Sequence, residues 1–120
     1  MKLYIGAAGG GQRELAAAET GRTPLPCSPE AALAAPAVDE FHLIVRQLLE
    51  NGGDACAFAR ELLQRNPDAV VVCNEIGLGI VPLDPFERRW REETGRALCI
   101  LAEGAERVTR VYCGIPQVIK

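Results

Sequence analysis

Aromatic side chains make up only 5% of this 120-residue sequence. A core therefore has to be assembled mainly from Ala, Val, Leu and Ile. Excess positive charge is missing as well. Thirteen Lys and Arg stand against sixteen Asp and Glu, for a net charge of −3. With no basic face to offer, nucleic acid and anionic membrane are not expected partners. Apolar runs stay far below the ~20 residues that a membrane-spanning helix requires. No C-x-x-C occurs among the cysteines Cys27, Cys56, Cys73, Cys99 and Cys113, and His42 is the single histidine. A zinc site is not expected. An odd cysteine count with no secretion signal in view points to reduced thiols in the cytoplasm.

An apolar fraction of 48% and a charged fraction of 24% are those of a globular protein. The length suits one domain over residues 1–120, and a chain of this size buries roughly two-thirds of its surface.

Punctuation along the chain divides it into alternating elements. Lys2-Leu3-Tyr4-Ile5 reads as a strand that runs into Gly6-Ala7-Ala8-Gly9-Gly10-Gly11, and a helix is expected from Gln12 to about Glu19. Four prolines between Gly21 and Pro36 predict a loop with one helical turn at 30–34. A short strand is expected over 37–39. Phe41, Ile44, Val45, Leu48 and Leu49 then form one helix face, ended by Asn51-Gly52-Gly53. Asp54 caps the next helix, which stops before Pro67. Ala69-Val70-Val71-Val72-Cys73 is the pattern of a strand covered on both faces.

Residues 74–82 read as a loop whose Ile76, Leu78, Ile80 and Val81 should pin it to the core. Asp84-Pro85-Phe86-Glu87 reads as N-cap, first-turn proline and capping-box glutamate of a helix reaching about Ala105, with Gly95 its weak point. Arg88, Arg89, Arg91 and Arg96 on that helix are expected to pair with Glu87, Glu92 and Glu93. A strand over 107–114 and a terminal one at 117–119 complete an α/β pattern with a mostly parallel sheet.

Strand, glycine loop and helix is the order in which such proteins build phosphate sites. In the pattern G-x-x-x-x-G-K-[ST], backbone N–H groups wrap phosphates, lysine neutralises them and the hydroxyl holds Mg²⁺. Gly6 and Gly11 fill the glycine positions, with Gly9 and Gly10 between them. Gln12 stands at the lysine and Arg13 at the hydroxyl. Backbone donors and the helix N-terminus remain for an anion, but a guanidinium at the hydroxyl position repels Mg²⁺. The loop thus reads either as a weak nucleotide site or as a tight turn with no ligand.

At the end of the expected strand over 69–73, Asn74 and Glu75 sit where open α/β sheets bind ligands. Glu75 is the candidate catalytic carboxylate and Asn74 a candidate phosphate contact. The stretch Asn74-Glu75-Ile76-Gly77-Leu78-Gly79-Ile80-Val81-Pro82 resembles the N-E-[VI]-G-x-G-I-V-P signature of the bifunctional adenosylcobinamide kinase / adenosylcobinamide-phosphate guanylyltransferase family. Arg88 to Arg96 is similar to that family's R-R-F-R-D-x-x-G-R, and Cys113-Gly114-Ile115-Pro116 to its G-[IL]-P close.

The resemblance implies a three-layer P-loop NTPase-like (RecA-like) fold, here reduced in size. It also implies ATP or GTP as ligand, a corrinoid partner, a trimeric homo-oligomer and a phosphate contact at Arg96. Three departures accompany it: the altered loop, a shortened segment before Asp39 where the family carries its guanylylated histidine, and Leu98 where the family has asparagine. His42 lies outside that histidine segment and is expected to be a helix-boundary residue. The implied protein is a nucleotide-binding relative in cobalamin biosynthesis with impaired or lost catalysis; the alternative is an active, shortened adenosylcobinamide kinase.

Overall fold

A computed structural model describes residues 1–120. The elements are β1 (Lys2–Gly6), α1 (Gln12–Thr20), β2 (Leu25–Pro26), α2 (Pro29–Ala32), β3 (Ala37–Asp39) and α3 (Phe41–Glu50). They continue with α4 (Ala55–Arg65), β4 (Val70–Asn74), α5 (Pro85–Gly104), β5 (Arg107–Tyr112) and β6 (Ile115–Val118). One six-stranded sheet runs in the order β2-β3-β4-β1-β5-β6. All neighbours are parallel except the β5–β6 hairpin.

Burial on both faces explains the unbroken apolar strands. Leu3, Val38, Val71, Cys73 and Val108 join the larger core against α3, α4 and α5. Tyr4, Val70, Val72 and Val111 pack on the opposite face with Ala16 of α1. Val108 and Val111 look out of register in the sequence because each serves a different face. The result is a three-layer α/β fold of P-loop NTPase type, thin on the α1 side. No helix is long and apolar enough to cross a membrane.

Local signals mostly act as expected. Asp54 accepts from Ala57 N, and Asp84 from Phe86 N and Glu87 N, so each caps its helix. Phe41 and Phe58 stack with centroids 6.5 Å apart and tie α3 to α4.

Five expectations need correction. The proline-rich segment holds a two-residue edge strand, β2, and its helical turn is α2, capped by Ser28. The loop after β4 is not pinned by its apolar residues: Leu78 is 60%, Val81 64% and Ile80 94% exposed. Arg91 holds that loop instead, donating to the carbonyls of Gly77, Gly79 and Ile80. Glu87 makes no capping box; both its oxygens take Arg46 of α3, at 2.8 and 3.1 Å. α5 passes through Gly95 unbroken, and the last strand begins at Ile115 rather than Gln117.

Candidate functional site

The register aligns Gly6 of β1 with Asn74 of β4 on one side and Val111 of β5 on the other. Three strand ends therefore meet beneath the glycine loop. Residues 6–10 of the loop, with Glu75, Leu78, Arg110, Tyr112 and Cys113, line a cavity of about 320 Å³. That is at the lower end of the range for small-molecule sites.

The loop is closed by backbone bonds: Gly10 N donates to Ala7 O at 2.9 Å, and Gly114 N in the β5–β6 turn donates to Gly10 O at 2.8 Å. Gly11 adopts φ +88°, and a Cβ there would lie 3.0 Å from Gly114 Cα, so both conformation and space demand glycine. Gly11 also leaves α1 with no capping side chain. An anion at that end would meet the positive end of the helix dipole.

Gln12 does not project toward this cavity. It is 4% exposed, and its Nε2 donates to Gly6 O (3.2 Å), Ala7 O (3.0 Å) and Asn74 Oδ1 (2.7 Å). Its Oε1 is buried with no partner. A Cβ on Gly6 would lie 2.8 Å from that oxygen, so the glycine is what lets the amide lie under the loop. Asn74 is held in turn by its backbone N–H, which donates to His42 Nδ1 at 3.2 Å.

The remaining candidates are partnered elsewhere. Arg13 Nε lies 3.6 Å from Asp39 Oδ2 at the end of β3. Burial pushes the Asp39 carboxyl up, against the backbone bond from Glu40 and the Arg13 charge. Glu75 meets Arg110 in a two-pronged pair, with 2.6 Å from Nη2 to Oε2 and 3.2 Å from Nη1 to Oε1. Arg96 lies apart from the loop, on the α5 face beside Asp54 and Cys56, with its guanidinium on Glu92 at 2.7 Å. The structure thus brings Gly6, Gly9, Gly10, Gly11, Gln12, Asn74 and Glu75 together and leaves Arg13 at the margin and Arg96 outside.

Sequence reasoning missed two residues. Arg110 carries no motif, and its one signal is a charge inside a strand of a covered parallel sheet. His42 stands in the first turn of α3, at the helix boundary as expected, but it is buried there: it is 6% exposed, its ring lies 6.3 Å from that of Trp90, and its carbonyl accepts from Trp90 Nε1 at 2.7 Å. With Nδ1 engaged as an acceptor, the proton sits on Nε2. Burial lowers the His42 pKa, outweighing the opposing pull of Glu40 and Asp39. Cys73 Sγ lies 4.0 Å from Nδ1, its pKa pushed up to about 12 by burial, so it is a thiol and no nucleophile.

A neutral buried histidine gives a pH dependence of defined sign. The unfolded chain takes up a proton as pH falls through about 6.5 while the folded one resists. Stability should therefore decline below that pH, with a limiting slope of about 1.4 kcal/mol per unit, until the lowered folded pKa is reached. Urea midpoints at pH 5.0–7.5 for wild type and His42→Gln provide the check. Asp39 and Glu40 are common to both proteins, so the histidine slope should appear as the difference. Parallel profiles would mean that the His42 pKa is the same in the folded and unfolded chain, so that the fold does not hold it neutral.

The family model described as cobinamide kinase / cobinamide phosphate guanyltransferase matches residues 38–119, more than half of the chain; the glycine loop lies before that match. The bifunctional adenosylcobalamin biosynthesis protein CobP of Pseudomonas aeruginosa is 43% identical over 51 residues, which are 42% of this chain and 30% of that protein. The chain thus matches less than a third of that relative's length. With the α/β sheet, the loop after β1 and the Asn74–Pro82 signature in place, the chain belongs to the cobinamide kinase / cobinamide phosphate guanyltransferase family.

Proposed function

We propose that this chain is a nucleotide-binding member of its family, serving cobalamin biosynthesis, in which phosphoryl and guanylyl transfer are impaired or lost. The observation that carries this reading is the inward Gln12. The side chain at the lysine position is bonded three times under the loop, so no mobile cation follows a phosphoryl group. Phosphoryl transfer is almost entirely positioning and charge stabilisation, and both need that cation and a metal. Arg13 offers no hydroxyl to Mg²⁺ and is paired with Asp39. His42 has its Nδ1 engaged with the backbone and does not replace the family's histidine.

The loop backbone and the uncapped start of α1 remain for ATP or GTP, bound weakly and without need of Mg²⁺. A corrinoid is the second ligand that the family description implies. Residues 1–120 act as one cytoplasmic domain in this reading, and self-association, as a trimer, follows from the family. Glu75 has a catalytic role only if the chain is instead an active kinase.

Titration of ATP and GTP with and without Mg²⁺, followed by calorimetry and thermal unfolding, tests the proposal. A ~10 μM site at ~1 mM nucleotide would add about 2.7 kcal/mol of stability. The expected result is a smaller shift that is the same with and without the metal, together with no phosphorylation of cobinamide. Tight, Mg²⁺-dependent binding with turnover abolished by Glu75→Ala would overturn it in favour of an active kinase.

A further inference from the structure

With Gln12 turned inward, another group must meet an anion in the loop cavity. Among the residues lining that cavity, Arg110 carries the one positive charge and Glu75 the one negative charge. Arg110 stands opposite Ile5 in the β1–β5 register, close to the end of its strand. Its neighbours Thr109 and Val111 are buried toward α1, so strand alternation sends Arg110 to the opposite face. The guanidinium carbon lies 5.0 Å from the centroid of the Tyr112 ring, which restrains its plane.

We propose that Arg110 is the phosphate-binding cation of this cavity, taking the part the motif gives to the loop lysine, and that Glu75 is the internal anion a ligand phosphate displaces. The proposal rests on the nucleotide reading of the cavity and assigns that reading its cation.

Three observations support it. The fork that holds both Glu75 oxygens is the geometry that binds phosphate equally well. Arg110 Nε is buried with no partner. A carboxylate has two oxygens, both already taken, whereas a terminal phosphoryl group has a third to offer. Finally, the other nearby guanidiniums are engaged elsewhere: Arg13 with Asp39, and Arg91 with the carbonyls of the 77–80 loop.

Exchange at Arg110 is feasible because the pair is accessible, with side chains 31% and 24% exposed, so a released Glu75 can be hydrated. The guanidinium comes from the strand opposite the loop, so it clamps a phosphate but does not follow one in transfer. Binding without turnover is the consequence.

The test is calorimetric titration of inorganic pyrophosphate at fixed ionic strength, with ATP run in parallel. Glu75→Gln, which removes the competitor, should bind pyrophosphate about tenfold more tightly than wild type. Arg110→Met should bind at least about tenfold more weakly than wild type, and Arg110→Lys should fall between, as a point charge without the fork. The double variant Arg110→Met/Glu75→Gln leaves no uncompensated charge and controls for folding. It should bind at least about tenfold more weakly than Glu75→Gln alone.

Equal ATP and pyrophosphate affinity in wild type and Arg110→Met would overturn the role of Arg110 and leave nucleotide binding standing. Weaker pyrophosphate binding by Glu75→Gln would overturn the displacement. If neither ligand binds wild type or Glu75→Gln, both the nucleotide reading and this assignment fall.

Discussion

Gln12→Glu, which replaces an amide nitrogen by a charged oxygen, should cost the fold about 3–5 kcal/mol at pH 8, the range for an uncompensated buried charge. The site explains the size. Nε2 faces three acceptors, on Gly6, Ala7 and Asn74, and the other amide atom already lacks a partner. A carboxylate there meets acceptors on one side and nothing on the other, at a position only 4% exposed. Arg13, next in sequence, is paired with Asp39.

Desolvation and these acceptors would hold the introduced carboxyl's pKa above its unfolded value of about 4.3. The deficit of the variant relative to wild type should therefore be smallest below that pH and grow as pH rises through the raised pKa. Urea unfolding of wild type, Gln12→Glu and Gln12→Met between pH 4 and 8 would measure this. Met keeps the volume without the charge and should lack the pH dependence. A loss under about 1 kcal/mol at pH 8, flat with pH, would mean that the side chain lies outside the loop.

The same environment explains the state of the site. The glycine loop survives in the sequence, but its glycines now accommodate an internal ligand, the Gln12 amide, as well as backbone turns. Gly6 has no Cβ where Gln12 Oε1 lies. The loop and the glutamine therefore form one packed unit with β4, through Asn74, and with α3, through His42. Rigidity is gained where an active phosphoryl-transfer loop needs a free cation.

Much of the architecture was legible because it depends on patterns that act locally. The 3.6-residue stripe of α3, the Asp54 and Asp84 caps and the run at 69–73 each specify an element without reference to the rest. What was not legible depends on pairing across the chain. β2 is two residues of edge strand containing a proline, and it exists only because Leu25 and Pro26 lie beside Val38 and Asp39. Glu87 sits at the capping-box position, yet Arg46, forty-one residues earlier in the chain, provides a two-pronged partner over the rings of Phe86 and Trp90. Hydropathy alone suggested that Ile80 and Val81 would be buried. Their loop instead projects outward and is held by its carbonyls on Arg91. That the glycine loop, Asn74 and Glu75 lie side by side was legible from motif order. Arg110 was not, because only the β1–β5 register brings it beside Glu75.

Restoring the motif with Gln12→Lys/Arg13→Ser should raise ATP affinity about 100-fold when Mg²⁺ is present, and less without it. A charge-assisted bond from lysine to phosphate contributes about 1.5–3 kcal/mol, or roughly 10- to 150-fold. The serine hydroxyl adds a metal ligand. Removing Arg13 also releases Asp39 at the end of β3. Arg13 is half-exposed but the Asp39 side chain is only 10% exposed, so removing the arginine leaves a largely buried carboxyl without its partner and should itself lower stability.

Calorimetry with ATP, with and without Mg²⁺, reads the gain, and a cobinamide phosphorylation assay reads whether turnover returns with it. An ammonium at position 12 still sees the carbonyls of Gly6 and Ala7 and Oδ1 of Asn74. If they capture it, affinity will not move. In that case the lysine is held under the loop as Gln12 is, and position 12 cannot supply the cation. A gain that is larger with Mg²⁺ would instead mean that the backbone still forms a phosphate loop, which two substitutions return to metal-assisted binding.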